Sequence, residues 1–113
     1  MRAAFVGAVA FSERCLGVLV NLPIDICLVI TTDEKASRKH ADFANLEPLA
    51  ERHCIPVIKA RDANAPQVLA RIAASGADIV FVLGWSQLLK PDFLALPPKG
   101  CIGSHPALLP RNR

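Results

Sequence analysis

With 113 residues, of which 52% are apolar and 20% charged, the chain has material for one domain with a sizeable core, and its composition argues against disorder. The net charge of +3, from 13 basic and 10 acidic residues, is a mild excess. It comes without a dense basic stripe interleaved with aromatics, so nucleic-acid binding is not indicated, and no run reaches the roughly 20 apolar residues that span a membrane.

Met1-Arg2 followed by the apolar run Ala3 to Phe11 has the length of a signal-peptide core, and Ala8-Val9-Ala10 could mimic a cleavage site. Gly7 interrupts that run and an amphipathic helix follows directly, so the segment reads instead as a first buried strand, Ala3 to Val6, and its turn. Ser12 is expected as the N-cap of the helix, with Glu13 in its first turn. Cys15, Leu16, Leu19 and Leu22 recur at helical spacing until Pro23 stops the pattern. Ile24 to Ile30, rich in β-branched residues, is the second strand. Thr31 to Asn45 is polar and charged, with Asp33, Glu34, Lys35, Arg38, Lys39 and His40, and is long for a connection. Such a stretch is either mobile or part of a site.

Leu46 to His53 is expected as a short helix and Ile55 to Ile58 as a third strand. Asp62 or Asn64 can cap the next helix, with Pro66 in its first turn, Val68, Leu69, Ile72 and Ala73 on its buried face, and Gly76 at its end. Ile79 to Leu83 is the clearest strand, broken by Gly84. Pro91 to Leu96 is expected as a short helix ended by Pro97-Pro98, and Gly100 to Ser104 as a last extended run. The βαβαβαβ order gives an α/β fold of Rossmann-like type, an open, mostly parallel sheet with helices on both faces. The four cysteines, Cys15, Cys27, Cys54 and Cys101, form no C-x-x-C pair and each sits in an apolar stretch. They read as buried reduced thiols in a cytoplasmic protein, without zinc-ligand spacing, and no metal is expected. No repeat or linker is visible, and the end at Arg113 without a closing element suggests a fragment or a truncated reading frame.

In open α/β sheets ligands bind beyond the carboxyl ends of the strands. Three segments fall there: Gly7 to Ser12, Gly84 to Leu89 and Gly103 to Pro110. Val9 and Ser12 replace the later glycines of a G-x-G-x-x-G fingerprint, which disfavours a nicotinamide or flavin dehydrogenase, and a Walker-type loop is absent. His105, at a strand end and before a proline-bounded turn, is the leading acid–base candidate, because imidazole titrates near neutral pH. A histidine that merely caps the strand is the competing reading. His40 and His53 read as solvated surface, as do Arg111 and Arg113 on charge pattern alone. Trp85 could stack on a flat heterocycle, but a packed core indole is favoured on position alone.

The terminal run Cys101-Ile102-Gly103-Ser104-His105-Pro106-Ala107-Leu108-Leu109-Pro110-Arg111-Asn112-Arg113 resembles the formyltransferase family, whose members carry an H-x-S-L-L-P turn after a strand. The histidine and the Leu-Leu-Pro agree. Gly84-Trp85-Ser86-Gln87-Leu88-Leu89 looks like the family's folate-binding loop, and the Gly7 to Ser12 turn also fits. The resemblance covers the whole chain and implies that residues 1–113 are the N-terminal part of a catalytic domain. That domain would transfer a formyl group from 10-formyltetrahydrofolate, as co-substrate, to a primary amine. It implies His105 as the catalytic residue that stabilises the oxyanion. Backbone groups of Gly84 to Leu89 would face the pterin, walled by Trp85 or by Leu88 and Leu89, and Phe11, Ser12, Pro110, Arg111 and Asn112 would line the acceptor side.

Two departures accompany the resemblance. Gly103 stands where the family has an asparagine, and the family's aspartate falls beyond Arg113, so the 113 residues alone are expected to be inactive. The terminal run and the Gly-Trp-Ser loop tilt the acceptor slightly towards an amino sugar nucleotide, with methionyl-tRNA as the alternative. A non-catalytic folate- or nucleotide-binding module and a flavodoxin-like regulatory domain are the other classes. The latter is disfavoured because no acidic cluster sits at the strand ends.

Overall fold

Ala3, Ala4, Phe5 and Val6 are four successive apolar residues, and a strand of that kind is stable only where both faces of its sheet are covered. In the computed structural model, which describes residues 1–32 and 43–103, all four are fully buried in β1 (Arg2–Val6) at the centre of the sheet. The other strands are β2 (Asp25–Thr31), β3 (Val57–Lys59), β4 (Ile79–Val82) and β5 (Cys101–Gly103). They lie in the order β3-β2-β1-β4-β5 and every neighbouring pair is parallel.

Alternation along β1 divides the core. Ala3 and Phe5 join Ile26, Val29 and Ile79 on one face, against Leu16 of α1 (Ala10–Leu19) and Leu49 and Ala50 of α2 (Glu47–Arg52). Ala4 and Val6 join Leu28, Ile30, Val80 and Val82 on the other face, against Val68 and Ile72 of α3 (Pro66–Ser75) and Phe93 of α4 (Pro91–Leu94). Each fully buried Phe, Leu or Ile of this kind contributes roughly 1.5–3 kcal/mol, so the two apolar layers hold the sheet. The expected α/β architecture, with helices on both faces, is the observed one. No helix among the described residues is long and apolar enough to cross a membrane.

Helix ends differ from expectation in instructive ways. The N-cap of α1 is Val9, not Ser12, which lies inside the first turn, and Leu22 falls beyond the helix and is exposed. Ala65, in extended conformation, caps α3 in place of Asp62 or Asn64, with Pro66 at the first helical position. Its buried face is Val68 and Ile72, with Leu69 half-buried and Ala73 exposed. Gly76 ends α3 at φ 73°, in the left-handed region, as a C-terminal glycine should. The Ser75 carbonyl this leaves open accepts two bonds from the Arg2 guanidinium, at 3.2 and 2.8 Å, a cation at a helix C-terminus.

The thiols are free, as expected, but none is fully buried: Cys15, Cys27 and Cys101 are half-buried, and Cys54 is exposed and stands at φ 57° just after α2. The surrounding hydrophobicity of the sequence misled there, because the residue sits in the turn between α2 and β3. Cys27 occupies a register shift between β1 and β2 and donates to the Ala3 carbonyl at 3.4 Å.

Candidate functional site

β1 is followed by a crossover to β2 on one side, whereas β4 lies on its other side, so the sheet's switch point falls between the ends of β1 and β4. Backbone bonds splice the two ends: the Leu83 N–H donates to Val6 O at 3.0 Å and the Ala8 N–H to Gly84 O at 3.2 Å. Ser12 completes the junction. Its hydroxyl donates to Leu83 O at 2.6 Å and accepts the Ala8 and Val9 N–H groups at 3.1 and 3.2 Å. The one donor and two acceptor positions of a hydroxyl are then occupied, and the residue is 0% exposed.

Ser12 was expected on the acceptor side of a pocket. It is instead an internal staple, because its buried hydroxyl has no capacity left for a ligand. The junction also explains two glycines. A Cβ on Gly7 or Gly84 would collide with Ser12 Oγ, and Gly84 sits at φ 83°. Phe11, on the first turn of α1, is 41% exposed and so remains open to a ligand or solvent.

Beyond Gly84 the chain has no ladder to hold it, and its shape comes from two buried anchors and a set of side-chain clamps. Trp85 and Leu89 are buried in the core layer of α3 and α4, at 6% and 3% exposure. The indole is therefore a packed core group, as favoured from position. Ser86 and Leu88 point outward, Leu88 being 62% exposed.

Gln87 turns back towards the segment between β3 and α3. Its Oε1 accepts the Ala63 N–H at 2.8 Å and the Trp85 Nε1–H at 3.3 Å, and its Nε2 donates to Asp62 Oδ1 at 2.6 Å. Asn64 donates through Nδ2 to Leu88 O at 3.0 Å and accepts the Lys90 N–H at Oδ1 at 2.8 Å. The Asn64 N–H, first, and the Gln87 amide hold the Asp62 carboxyl below its ordinary value. The backbone N–H and C=O of Ser86 and Gln87 take no partner among the described residues.

β5 runs parallel to β4 and so ends at the same edge with Gly103. Burial pushes the Cys101 thiol up to about 11, which keeps it protonated and unreactive near neutral pH. Thr31 ends β2 at this edge as well, buried, with no partner for its Oγ1 among the described residues. His105, Pro110, Arg111 and Asn112, and the charged residues Asp33 to His40, lie outside the described residues. The structure therefore brings together the Gly7–Ser12 turn and the Gly84–Leu89 loop at one edge. His53 is exposed at the end of α2, as expected of a surface histidine.

The clamping roles of Asp62 and Asn64 were missed, since both read as helix caps. The Asp-x-Asn spacing, typical of a turn in which a side chain bonds the backbone two residues on, was the available signal. Among the described residues no three His, Cys, Asp or Glu side chains cluster to hold a metal.

Comparison with known proteins bears on this edge. A family profile described as formyl transferase matches residues 9–113. A methionyl-tRNA formyltransferase of Geotalea uraniireducens is 34% identical over 117 aligned positions, covering 100% of this chain and 37% of that protein. One of Geobacter metallireducens is 31% identical over 111 positions, covering 96% of this chain and 36% of that protein. The chain thus spans little more than a third of the length of these relatives. Among solved structures, phosphoribosylglycinamide formyltransferase from Bacillus halodurans superposes with a TM-score of 0.68 at 21% identity, over 97% of this chain and 58% of that one. At that identity the likeness speaks for the fold alone.

Proposed function

The chain belongs to the formyl transferase family, and from that premise we propose that the protein takes the formyl group of 10-formyltetrahydrofolate to a primary amine, with residues 1–113 supplying the folate-reading part of the catalytic domain. The observation that carries the reading is the family match over residues 9–113, which takes in the Gly84–Leu89 loop at the sheet's switch point and the His105 run after β5.

A reduced pterin is flat and edged with alternating donors and acceptors. The backbone groups of Ser86 and Gln87, which take no partner among the described residues, are suited to such an edge, and Leu88 offers an apolar surface beside them. Trp85 and Leu89 support the loop from beneath instead of contacting the ring.

In the transfer the amine nitrogen attacks the formyl carbon, and negative charge collects on the former carbonyl oxygen. The tetrahedral adduct then collapses, the bond to N10 of the folate breaks, and that nitrogen takes up a proton. His105 is assigned the oxyanion and the proton handling. A preorganised donor of this type is worth about 3 kcal/mol, so its loss lowers the rate by two orders of magnitude or more. Gly103 brings only its backbone N–H to the position of the family's asparagine. Phe11, Pro110, Arg111 and Asn112 are assigned to the acceptor side.

For the acceptor, the curated relatives favour methionyl-tRNA. The amino sugar suggested by the terminal run finds no support in those relatives. The test is to supply the product of the complete gene with 10-formyltetrahydrofolate and, separately, methionyl-tRNA or an amino sugar nucleotide. Tetrahydrofolate release coupled to formylation of methionyl-tRNA is the expected result. Formylation of the sugar alone would reassign the acceptor, and no release with either would remove the enzymatic reading.

A further inference from the structure

The turn between β3 and α3 and the loop after β4 are more than 20 residues apart in sequence, yet four hydrogen bonds join them: Ala63 N–H to Gln87, Gln87 to Asp62, Asn64 to Leu88 O, and Lys90 N–H to Asn64. We propose that Asn64 and Asp62 are positioning residues for the folate co-substrate, holding the Gly84–Lys90 loop in the one shape that presents its free backbone groups. The inference rests on the folate reading above and adds residues to it that lie outside the loop itself.

The clamp acts at both halves of the loop. Asn64 spends its two amide functions on Leu88 O and the Lys90 N–H, which turns that carbonyl away from the open side and leaves the Leu88 side chain outward. Asp62 acts at one remove. Its Oδ1 receives the Gln87 amide and the Asn64 N–H together, so it fixes Gln87 and the clamp residue itself. Gln87 in turn receives the Trp85 indole N–H, which ties the clamp to the buried anchor.

Ser86 and Gln87, which follow the buried Trp85 and precede the clamped Leu88 carbonyl, are among the loop residues whose backbone groups take no partner among the described residues. A loop that reads a ligand through backbone groups binds in proportion to the time it spends in the competent shape. An unclamped loop must be ordered at the moment of binding, which weakens affinity without touching any contact to the ligand. Asp62 is exposed and Asn64 half-buried, so neither side chain belongs to the apolar core that holds the anchors Trp85 and Leu89.

The experiment compares the complete gene product with its Asn64→Ala, Asp62→Ala and Asp62→Asn variants. The measurements are the dissociation constant for tetrahydrofolate by calorimetry, the KM for 10-formyltetrahydrofolate and for the acceptor, and the urea unfolding midpoint. Asn64→Ala is expected to weaken tetrahydrofolate binding and raise the folate KM about tenfold, with the acceptor KM unchanged. Asp62→Ala should act in the same direction. Asp62→Asn retains the Oδ1 acceptor and should stay within about twofold of the unaltered protein.

Unchanged folate affinity in Asn64→Ala, or equal shifts in both KM values, would overturn the positioning role while the folate reading stands. Absence of tetrahydrofolate binding to the unaltered protein would instead overturn the folate reading, and the positioning role with it.

Discussion

Ser12 shows how little a local sequence window says about a hydroxyl. Beside an apolar helix it reads as a cap or a ligand contact, yet its hydroxyl holds the Ala8 and Val9 N–H groups of the turn after β1 and bonds the Leu83 carbonyl at the end of β4, 71 residues from Ser12. Replacing it with alanine leaves the Val9 N–H and the Leu83 carbonyl without this partner inside the fold, at a cost of about 2–3 kcal/mol. Gly84→Ala adds a side chain at φ 83° and drives it against Ser12 Oγ, so about 3 kcal/mol is expected there too. Urea unfolding of both variants checks this, and because the two residues touch, the double variant should lose less than the sum of the singles. Gly84 was legible as a strand breaker. Its contact with Ser12 was not, because it depends on a pairing between distant strands.

At the scale of elements, apolar periodicity carried the reading well where a helix has one covered face. Val68 and Ile72 were assigned to the core of α3 and are there, at 0% and 2% exposure. The pattern on α1 was less reliable: Leu16 is buried, but Leu22 lies past the last turn and is 45% exposed. Periodicity cannot mark where a helix stops, and at α1 the stop comes at Leu19, before Pro23 could impose it.

The two helices give a direct contrast. Ile72→Ala should cost about 2–4 kcal/mol, since it opens a cavity beneath the sheet. Val18 is 61% exposed, and Val18→Ala should stay within about 0.5 kcal/mol. Unfolding midpoints of the two variants measure the difference. Cap positions were the least legible feature, because at α1 and α3 the N-cap side chain makes no hydrogen bond. Ser, Asp and Asn nearby serve the β1–β4 junction and the loop clamp instead.

For the molecule as a whole, the alternation of short apolar runs with helical segments was enough to give the parallel sheet and its two covered faces. The candidate edge followed, since strand ends and a switch point define it. The order of the strands was not legible, and with it the knowledge that the turns after β1 and β4 meet at the centre of the edge. Nor was the division of labour within Gly84–Leu89, where alternate positions anchor, clamp and present. Only packing against α3, α4 and the Asp62–Asn64 turn separates those roles.

The central claim is that this loop reads a reduced pterin. It is tested most directly by amide hydrogen exchange of the complete gene product with and without tetrahydrofolate. The account predicts that added tetrahydrofolate slows exchange most strongly at Ser86 and Gln87, where the backbone groups take no partner among the described residues. Protection confined to other strand ends, with Ser86 and Gln87 exchanging as before, would contradict it.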